Sequence, residues 1–337
     1  MKKYNKIRCE KKISLLDPVY QTLLLFGIIT ITCIFFEAYF KTNNFLFPFL
    51  ITTLVSSSAT YLGIPILKKI KLKQIIRKEG PKKHFIKQGT PTMGGVFIIP
   101  IGIIISNLIY YNKEEYKIIL VLSFLIICFM FIGLIDDILS LKKKLNTGLT
   151  SNQKLILQFL ISLIFIVVCS ANSLIPHNIL IGNKIFNIGS LIYPIGIFVL
   201  LAESNSTNLT DGLDGLLSGC SVLIFTGLAI TILIENPNTD NTLSTLCMVM
   251  AGTCMGFLFL NKYPAKLFMG DSGSLAIGAS LGGIALISNN LWSLLIMGGI
   301  LAAESISVII QVSIFKVSKR IKGKGYKLFL MTPLHHH

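Results

Sequence analysis

Five aspartates carry the chemical interest of this 337-residue chain: Asp136 and Asp137 in "FIGLIDDILS", Asp211 and Asp214 in "NLTDGLDGL", and Asp271 in "FMGDSGS". Carboxylates are hard oxygen donors suited to Mg²⁺, and a Mg²⁺ that keeps open positions is a usual carrier of polyphosphate. Cations are plentiful elsewhere in the chain: the stretch 68 to 93, the run "LKKKLNTGLTSNQK" (Leu141 to Lys154), and the tail 316 to 337. Each acidic motif also has a plain structural reading. An Asp-Asp pair after an apolar run can simply mark a helix end. Asp211 can cap a helix beginning near Gly212, and at helical spacing Asp214 shares its face, although a cap needs one acid and not two. Asp271, between Gly270 and Gly273, can sit in a turn, or in a backbone shape that brings a carboxylate and free N–H groups to a phosphate.

The elements that must position these acids belong to a membrane protein. The chain is 53% hydrophobic and 14% charged, with a mean hydropathy of +0.73, beyond the apolar share of ordinary soluble domains. Apolar runs recur at about 18 to 40, 45 to 67, 94 to 111, 117 to 135, 155 to 171, 188 to 204, 215 to 234, 243 to 260, 274 to 288 and 291 to 315. Crossing a hydrocarbon core of roughly 30 Å takes about 20 residues, and backbone in lipid must satisfy itself, so helices dominate. The expected fold is an all-α polytopic membrane protein of about ten transmembrane helices. A basic segment 1 to 17 precedes a single membrane domain 18 to 315, and a basic tail 316 to 337 follows.

A net charge of +16 raises nucleic acid as a partner, and the placement of the charge removes it. With alternating crossings and an inner N-terminus, all lysines and arginines except Lys41, Lys113, Lys117 and Lys184 fall on one side, while Glu114, Glu115, Glu235 and Asp240 fall on the other. The positive-inside rule accounts for this split and makes the basic loops cytoplasmic. All five aspartates then lie at cytoplasmic helix ends, which avoids the ~2.5 to 3.5 kcal/mol that a central Asp costs on insertion scales. The first apolar run is longer than a signal-peptide core and lacks a clear cleavage site, so it reads as a membrane helix. The seven cysteines show no metal-binding spacing and read as packing residues. Glu37 and Glu304 sit inside apolar runs, Glu304 reading as buried or lining a polar cavity with Gln311, while Glu203 is placed at a helix end within reach of water. His177 reads as an outer-loop residue and His84 as a solvated one. By composition the final "PLHHH" reads as the remnant of an expression tag.

Taken in order, "KQGTPTMGG" (Lys87 to Gly95), "DDILSLKKKLNTGLTSNQKLILQ" (Asp136 to Gln158), "NSTNLTDGLDGL" (Asn205 to Leu216), "NKYPAKLFMGDSGSLAIG" (Asn261 to Gly278) and "MTPLHHH" (Met331 to His337) closely resemble the phospho-N-acetylmuramoyl-pentapeptide-transferase family, within the polyprenyl-phosphate N-acetylhexosamine 1-phosphate transferases. The resemblance spans about residue 45 to the end, and five ordered motifs are specific. It implies a Mg²⁺-dependent reaction at the inner face of the bacterial plasma membrane: UDP-N-acetylmuramoyl-pentapeptide plus undecaprenyl phosphate gives lipid I and UMP, for peptidoglycan synthesis. It further implies Asp271 as principal Mg²⁺ ligand with Asp211 assisting, and Asp136 or Asp137 as the group that positions or deprotonates the lipid phosphate. Asp211 and Asp214 would serve metal, uridine or diphosphate positioning. Lys87, Asn208, Gly212, Asn261, Phe268 and Gln311 would bind substrate, with Lys143, Lys144 and Lys154 as phosphate contacts. His335, His336 and His337 match the family's motif, which reverses the tag reading and places them near the sugar or phosphates. A homodimer is an expectation from the resemblance alone.

Within the family two routes are conceivable, direct attack by the lipid phosphate or an aspartyl-phosphate intermediate. Direct attack is favoured, because a carboxylate nucleophile would have to leave the metal and cations that balance it. The chain departs from the family pattern in three ways: Ser140 stands where a lysine is expected, so Lys142 to Lys144 would supply that charge; an apolar run at 18 to 40 precedes the region of resemblance; and the sequence stops at His337, where the family continues into a further helix. Two other functions compete. A sister enzyme would transfer GlcNAc 1-phosphate, which "GTPTMGG" and "PLHHH" disfavour. A transporter would place its acids near the bilayer midplane and not at one edge.

Overall fold

The computed structural model describes residues 17–42, 45–69, 90–143, 148–182, 184–235 and 242–336. Eleven α-helices run α1 Pro18–Phe40, α2 Leu46–Lys69, α3 Gly95–Tyr110, α4 Tyr116–Lys143, α5 Ser151–Ala171, α6 Ile192–Thr210, α7 Leu216–Glu235, α8 Thr242–Asn261, α9 Asp271–Ile287, α10 Leu291–Met297 and α11 Gly299–Lys322. Among the described residues, seven of them (α1, α2, α4, α5, α7, α8 and α11) are long and apolar enough to cross a membrane, while α3 and α9 are shorter apolar helices. The protein is thus an all-α polytopic membrane protein, and each expected apolar run coincides with a helix. The tenth run is broken at Gly298 into α10 and α11. A two-stranded hairpin, β1 Asn178–Ile181 with β2 Lys184–Asn187, lies between α5 and α6 at the end away from the aspartates, and periodicity gave no sign of it.

α8 and α9 form the centre of the bundle. Nearly every residue of both is buried, as expected of helices that are apolar all round. α9 packs against α4 and α6, and α8 against α2 and α7. The sequence "GSLAIGASLGG" makes α9's position possible, since small residues let membrane helices approach closely. A Cβ at Gly278 would overlap Thr207 and the Glu203 carbonyl of α6, and one at Gly283 would crowd Leu122 and Leu125 of α4. α1 is peripheral by contrast. It is capped by Asp17, leaves most of its apolar surface outward, and touches the bundle through Phe26, which meets Phe49 and Phe259.

Helix ends differ from expectation where the acids are. α4 runs to Lys143, so Asp136 and Asp137 lie inside its final turns and not beyond them; "LSLKK" holds good helix formers, and its lysines suit the negative end of the dipole. α6 continues to Thr210, which puts Glu203 two turns inside the helix. Its Oε2 is shielded and has no hydrogen-bond partner among the described residues, while the residue as a whole is half-buried. Cys33, Cys169, Cys247 and Cys254 are buried free thiols, as packing residues should be.

Candidate active site

The N-terminus of α9 is the point where the motifs meet. Gly270 takes a φ of 76°, a left-handed value that favours glycine, and turns the chain into α9 with Asp271 as its first residue. The first amides of a helix need acceptors from outside it, and Asp137 of α4 supplies both: its Oδ1 accepts from Asp271 N at 3.1 Å and its Oδ2 from Ser272 N at 3.0 Å. These amides are therefore engaged, which answers the sequence reading in which free N–H groups there meet a phosphate. The approach is tight. A Cβ at Gly133 of α4 would overlap the Asp271 carbonyl, and one at Gly95 of α3 would overlap the backbone of Gly273. "PTMGG" holds the other side, because Phe268 N donates to Pro91 O, Gly94 N to Phe268 O and Gly95 N to Met269 O, each at 2.9 Å. The glycines of two distant motifs thus serve one crossing of three helices.

The Asp271 side chain is gripped from two further helices. Lys154 Nζ of α5 stands 2.5 Å from Oδ2, and Asn208 Nδ2 of α6 donates to Oδ1 at 2.8 Å. Asn208 also reaches Ser274 Oγ at 3.0 Å. Lys154 sits in the first turn of α5, set by a capping box in which Thr150 Oγ1 accepts from Gln153 N and Gln153 Oε1 from Thr150 N. Asp136 is near enough to Asp271 for the two carboxyls to repel one another, and its Oδ1 accepts from Leu149 N at 2.9 Å. Gly148 lets the loop before α5 lie directly on Asp136. Asp136, Asp137, Asp271, Lys154 and Asn208 therefore form one cluster, with Asp137 facing the helix backbone and Asp136 facing the Asp271–Lys154 pair.

The second acidic motif is built differently. Asp211 ends α6, its N–H bonding to Thr207 O, and α7 starts only at Leu216. Asp211 is thus not the cap of a helix starting near Gly212, and Asp211 and Asp214 do not share a helical face: they straddle the turn 211 to 215. Asp214 Oδ2 accepts from Ala265 N at 3.0 Å. Asn261 is buried inside this loop pair: its Oδ1 accepts from Gly215 N and Ser218 Oγ at 3.0 Å each, and its Nδ2 donates to Leu267 O at 2.9 Å. The backbone of Lys262 lies against Gly215. Burial first, then the neighbouring Lys266, hold the Lys262 ammonium below the ordinary lysine range, with Asp17 acting in the opposite direction.

The tail closes over this turn. After Gly323 (φ 69°) ends α11, the chain folds back, and Gln311 clasps it: Oε1 accepts from Leu328 N and Phe329 N at 3.0 and 2.9 Å, and Nε2 donates to Phe329 O at 3.3 Å. His335 is buried, with Nδ1 3.3 Å from Glu304 Oε2, and its ring occupies the space that a Cβ at Gly212 would need. Glu304, read from sequence as a structural acid, is thus the partner of a motif histidine. An ionisable residue in an apolar helix was the signal available for it. Phe268 is half-buried, held through its backbone beside Asp271. Lys87, Lys144 and His337 lie outside the described residues, as do the side chains of Lys143 and His336.

The donor set suits a hard cation. Asp136 and Asp271 bring two carboxyls together beside a single lysine, Lys154, a balance that leaves negative charge to be met. Among the described residues there is no group of three His, Cys, Asp or Glu placed to hold a metal. Two carboxylates such as Asp136 and Asp271 would leave the rest of a Mg²⁺ shell to water and substrate phosphates, a common arrangement for that ion.

Comparison with known proteins bears on the same residues. A family described as glycosyl transferase family 4 matches residues 119–289, and phospho-N-acetylmuramoyl-pentapeptide-transferase signature 1 matches residues 87–99. A phospho-N-acetylmuramoyl-pentapeptide-transferase of Prochlorococcus marinus strain NATL2A is 77% identical over 100% of this chain and 91% of its own length. Enzymes of the same name from P. marinus strain SARG and Synechococcus sp. strain CC9605 are 51% and 48% identical, over 94% and 86% of this chain and 85% and 83% of their own lengths. A specific signature on the glycine motif, a broad match across α4 to α9 and full-length similarity agree: the chain belongs to the phospho-N-acetylmuramoyl-pentapeptide-transferase family.

Proposed function

We propose that this protein transfers phospho-N-acetylmuramoyl-pentapeptide from its UDP-linked precursor to undecaprenyl phosphate, giving lipid I and UMP, at the cytoplasmic face of the bacterial plasma membrane, and that it needs Mg²⁺. The observation that carries the reading is the convergence of Asp136, Asp271, Lys154 and Asn208 from four helices onto one point at the basic end of the bundle. A soluble nucleotide and a lipid headgroup can meet at that end.

In the reaction an oxygen of the lipid phosphate attacks the sugar-bearing phosphorus of the UDP-sugar. The new P–O bond forms as the bond to UMP breaks, and UMP leaves with the bridging oxygen. One anhydride replaces another, so the work of the site is to bring two anions together and stabilise the transferring phosphoryl group. Asp271 and Asp136 are the residues that would hold Mg²⁺, which when bound neutralises phosphate charge. Lys154 and Asn208 fix the Asp271 carboxylate. Asp136, whose other neighbours are the Leu149 amide and Asp271, takes or orients the proton of the lipid phosphate. A role for Asp271 as nucleophile is disfavoured, because attack would require it to give up Lys154 and Asn208. The turn that carries Asp211, Gly212 and Asp214, with His335 against Gly212, would serve the nucleotide-sugar.

The test is UMP release by the purified protein, with and without undecaprenyl phosphate and with Mg²⁺ or EDTA. Release that needs both substrates and is lost in EDTA is expected. UDP-GlcNAc serving in place of the muramoyl substrate would defeat the assignment.

A further inference from the structure

One turn further into the bundle from Lys154, α5 carries Gln158, whose side chain is fully buried. Its Oε1 accepts from Asn205 Nδ2 of α6 at 2.9 Å, and the same Nδ2 donates to Leu201 O at 2.8 Å. Gln158 lies four residues after Lys154, and Asn205 three before Asn208, so each shares a helix face with a residue that grips Asp271. The bond between the two amides therefore ties α5 to α6 directly behind the two-sided hold on Asp271. Around it, α5 is apolar and outward-facing at Leu155, Ile156, Leu157, Phe159 and Leu160.

We propose that Gln158 and Asn205 form a positioning pair for the transfer reaction, fixing the spacing of α5 and α6 so that Lys154 and Asn208 can hold the two oxygens of Asp271 at once. The inference rests on the reading of Asp271 as the reaction centre. Chain connectivity does not set this spacing at the Asp271 end: α5 enters from the loop before Ser151, α6 leaves at Asp211, and the two join only at the opposite end through the hairpin. General adhesion between helices is a poor account of the pair. Gln158 Nε2 is buried without a hydrogen-bond partner among the described residues, and such a half-satisfied amide loses more than an interhelical polar contact returns. Leucine would pack there more favourably, so the amide is explained by where it holds the helices.

The experiment compares Gln158→Leu, Asn205→Leu, the double variant and the reciprocal swap Gln158→Asn/Asn205→Gln, which keeps the total reach of the two side chains. Steady-state UMP release and thermal unfolding of the purified full chain are both read, with Asp271→Asn alongside. Each leucine variant is expected to lower kcat about tenfold, since small misplacements of catalytic groups carry penalties of this order, with KM for the UDP-sugar within about twofold and the unfolding midpoint unchanged or raised. The double variant should be no worse than either single, as for two ends of one interaction, and the swap should recover most of kcat. Leucine variants with full kcat would overturn the proposal. So would a swap that restores the unfolding midpoint and not kcat, should the leucine variants prove unstable. An active Asp271→Asn defeats the reading of Asp271 itself, whereas an inactive one beside an unimpaired Gln158→Leu defeats only the pair.

Discussion

Asp136–Asp137 and Asp211–Asp214 are both pairs of acids bordering apolar runs, yet the fold uses them in different ways. The first pair sits on a continuous helix and divides its labour by direction: Asp137 caps the amides of α9, and Asp136, one residue away, faces Asp271. The second pair straddles a turn with no helix of its own, where Asp214 binds the amide of Ala265 and the shape depends on Asn261 from one side and His335 from the other. A rigid junction of three helices thus stands beside a turn assembled from loops and tail. In the proposed reaction, chemistry that tolerates little displacement would belong to the first, and accommodation of a large substrate to the second.

Variants can break or sharpen this contrast. The largest effect is expected for Asp271→Asn, which keeps the shape of the junction and removes its central charge: UMP release should fall about 10²- to 10³-fold or more at any Mg²⁺ concentration, and substantial turnover would refute its role. Next, Gly133→Ala forces a methyl into the Asp271 carbonyl, where neither backbone can yield. A loss of about 3 kcal/mol is expected, at the upper end for overpacking, and Gly299→Ala, with nothing within 4 Å of an added Cβ, serves as the silent control in thermal unfolding. Asp137→Ala should cost about 1–2 kcal/mol as the loss of a helix cap, and should lower kcat as well because α9 carries Asp271. Asp214→Asn is expected to cost about 1 kcal/mol or less. Its activity loss should appear as a raised KM for the UDP-sugar with kcat nearly intact; a kcat defect equal to that of Asp137→Ala would erase the distinction between the two regions.

The membrane helices were legible because each is an apolar run of the right length, and the one-sidedness of the acids followed from counting lysines across alternate loops. The residue identities of the junction were legible as well: Asp136, Asp137, Asn208, Asp271 and Lys154 all came from motifs, and they meet. What did not follow was which acid does what. Asp137 and Asp136 are identical in type and adjacent in sequence, and only the path of α9 decides that one meets backbone amides and the other a carboxyl. The alternative in which Asp211 caps a helix near Gly212 fails because a cap signal cannot tell the end of α6 from the start of α7 when only a few residues separate them. Asn261 and Gln311, expected against substrate, are engaged with the loop before α9 and with the tail. Long-range pairing of this kind leaves no periodic trace. The hairpin between α5 and α6 escaped for a different reason: its strands are four residues each and largely exposed, too short for an alternating pattern to show.

The two short helices have a consequence for depth. α3 and α9 contain 16 and 17 residues, which at 1.5 Å per residue gives about 24 and 26 Å, less than the ~30 Å of a bilayer's hydrocarbon. Both begin at the Asp271 junction, whereas α4, with 28 residues, runs past it. If the far ends of α3 and α9 reach the opposite interface, the junction lies a few ångström inside the hydrocarbon boundary. A lipid phosphate reaching it would then have to sink, or the surrounding leaflet to thin, and hydrophobic mismatch of this kind costs fractions of a kcal/mol per ångström. Bilayer thickness thereby becomes a variable of the reaction: in the proposed chemistry, thinner membranes should deliver the lipid phosphate to Asp136 with less distortion.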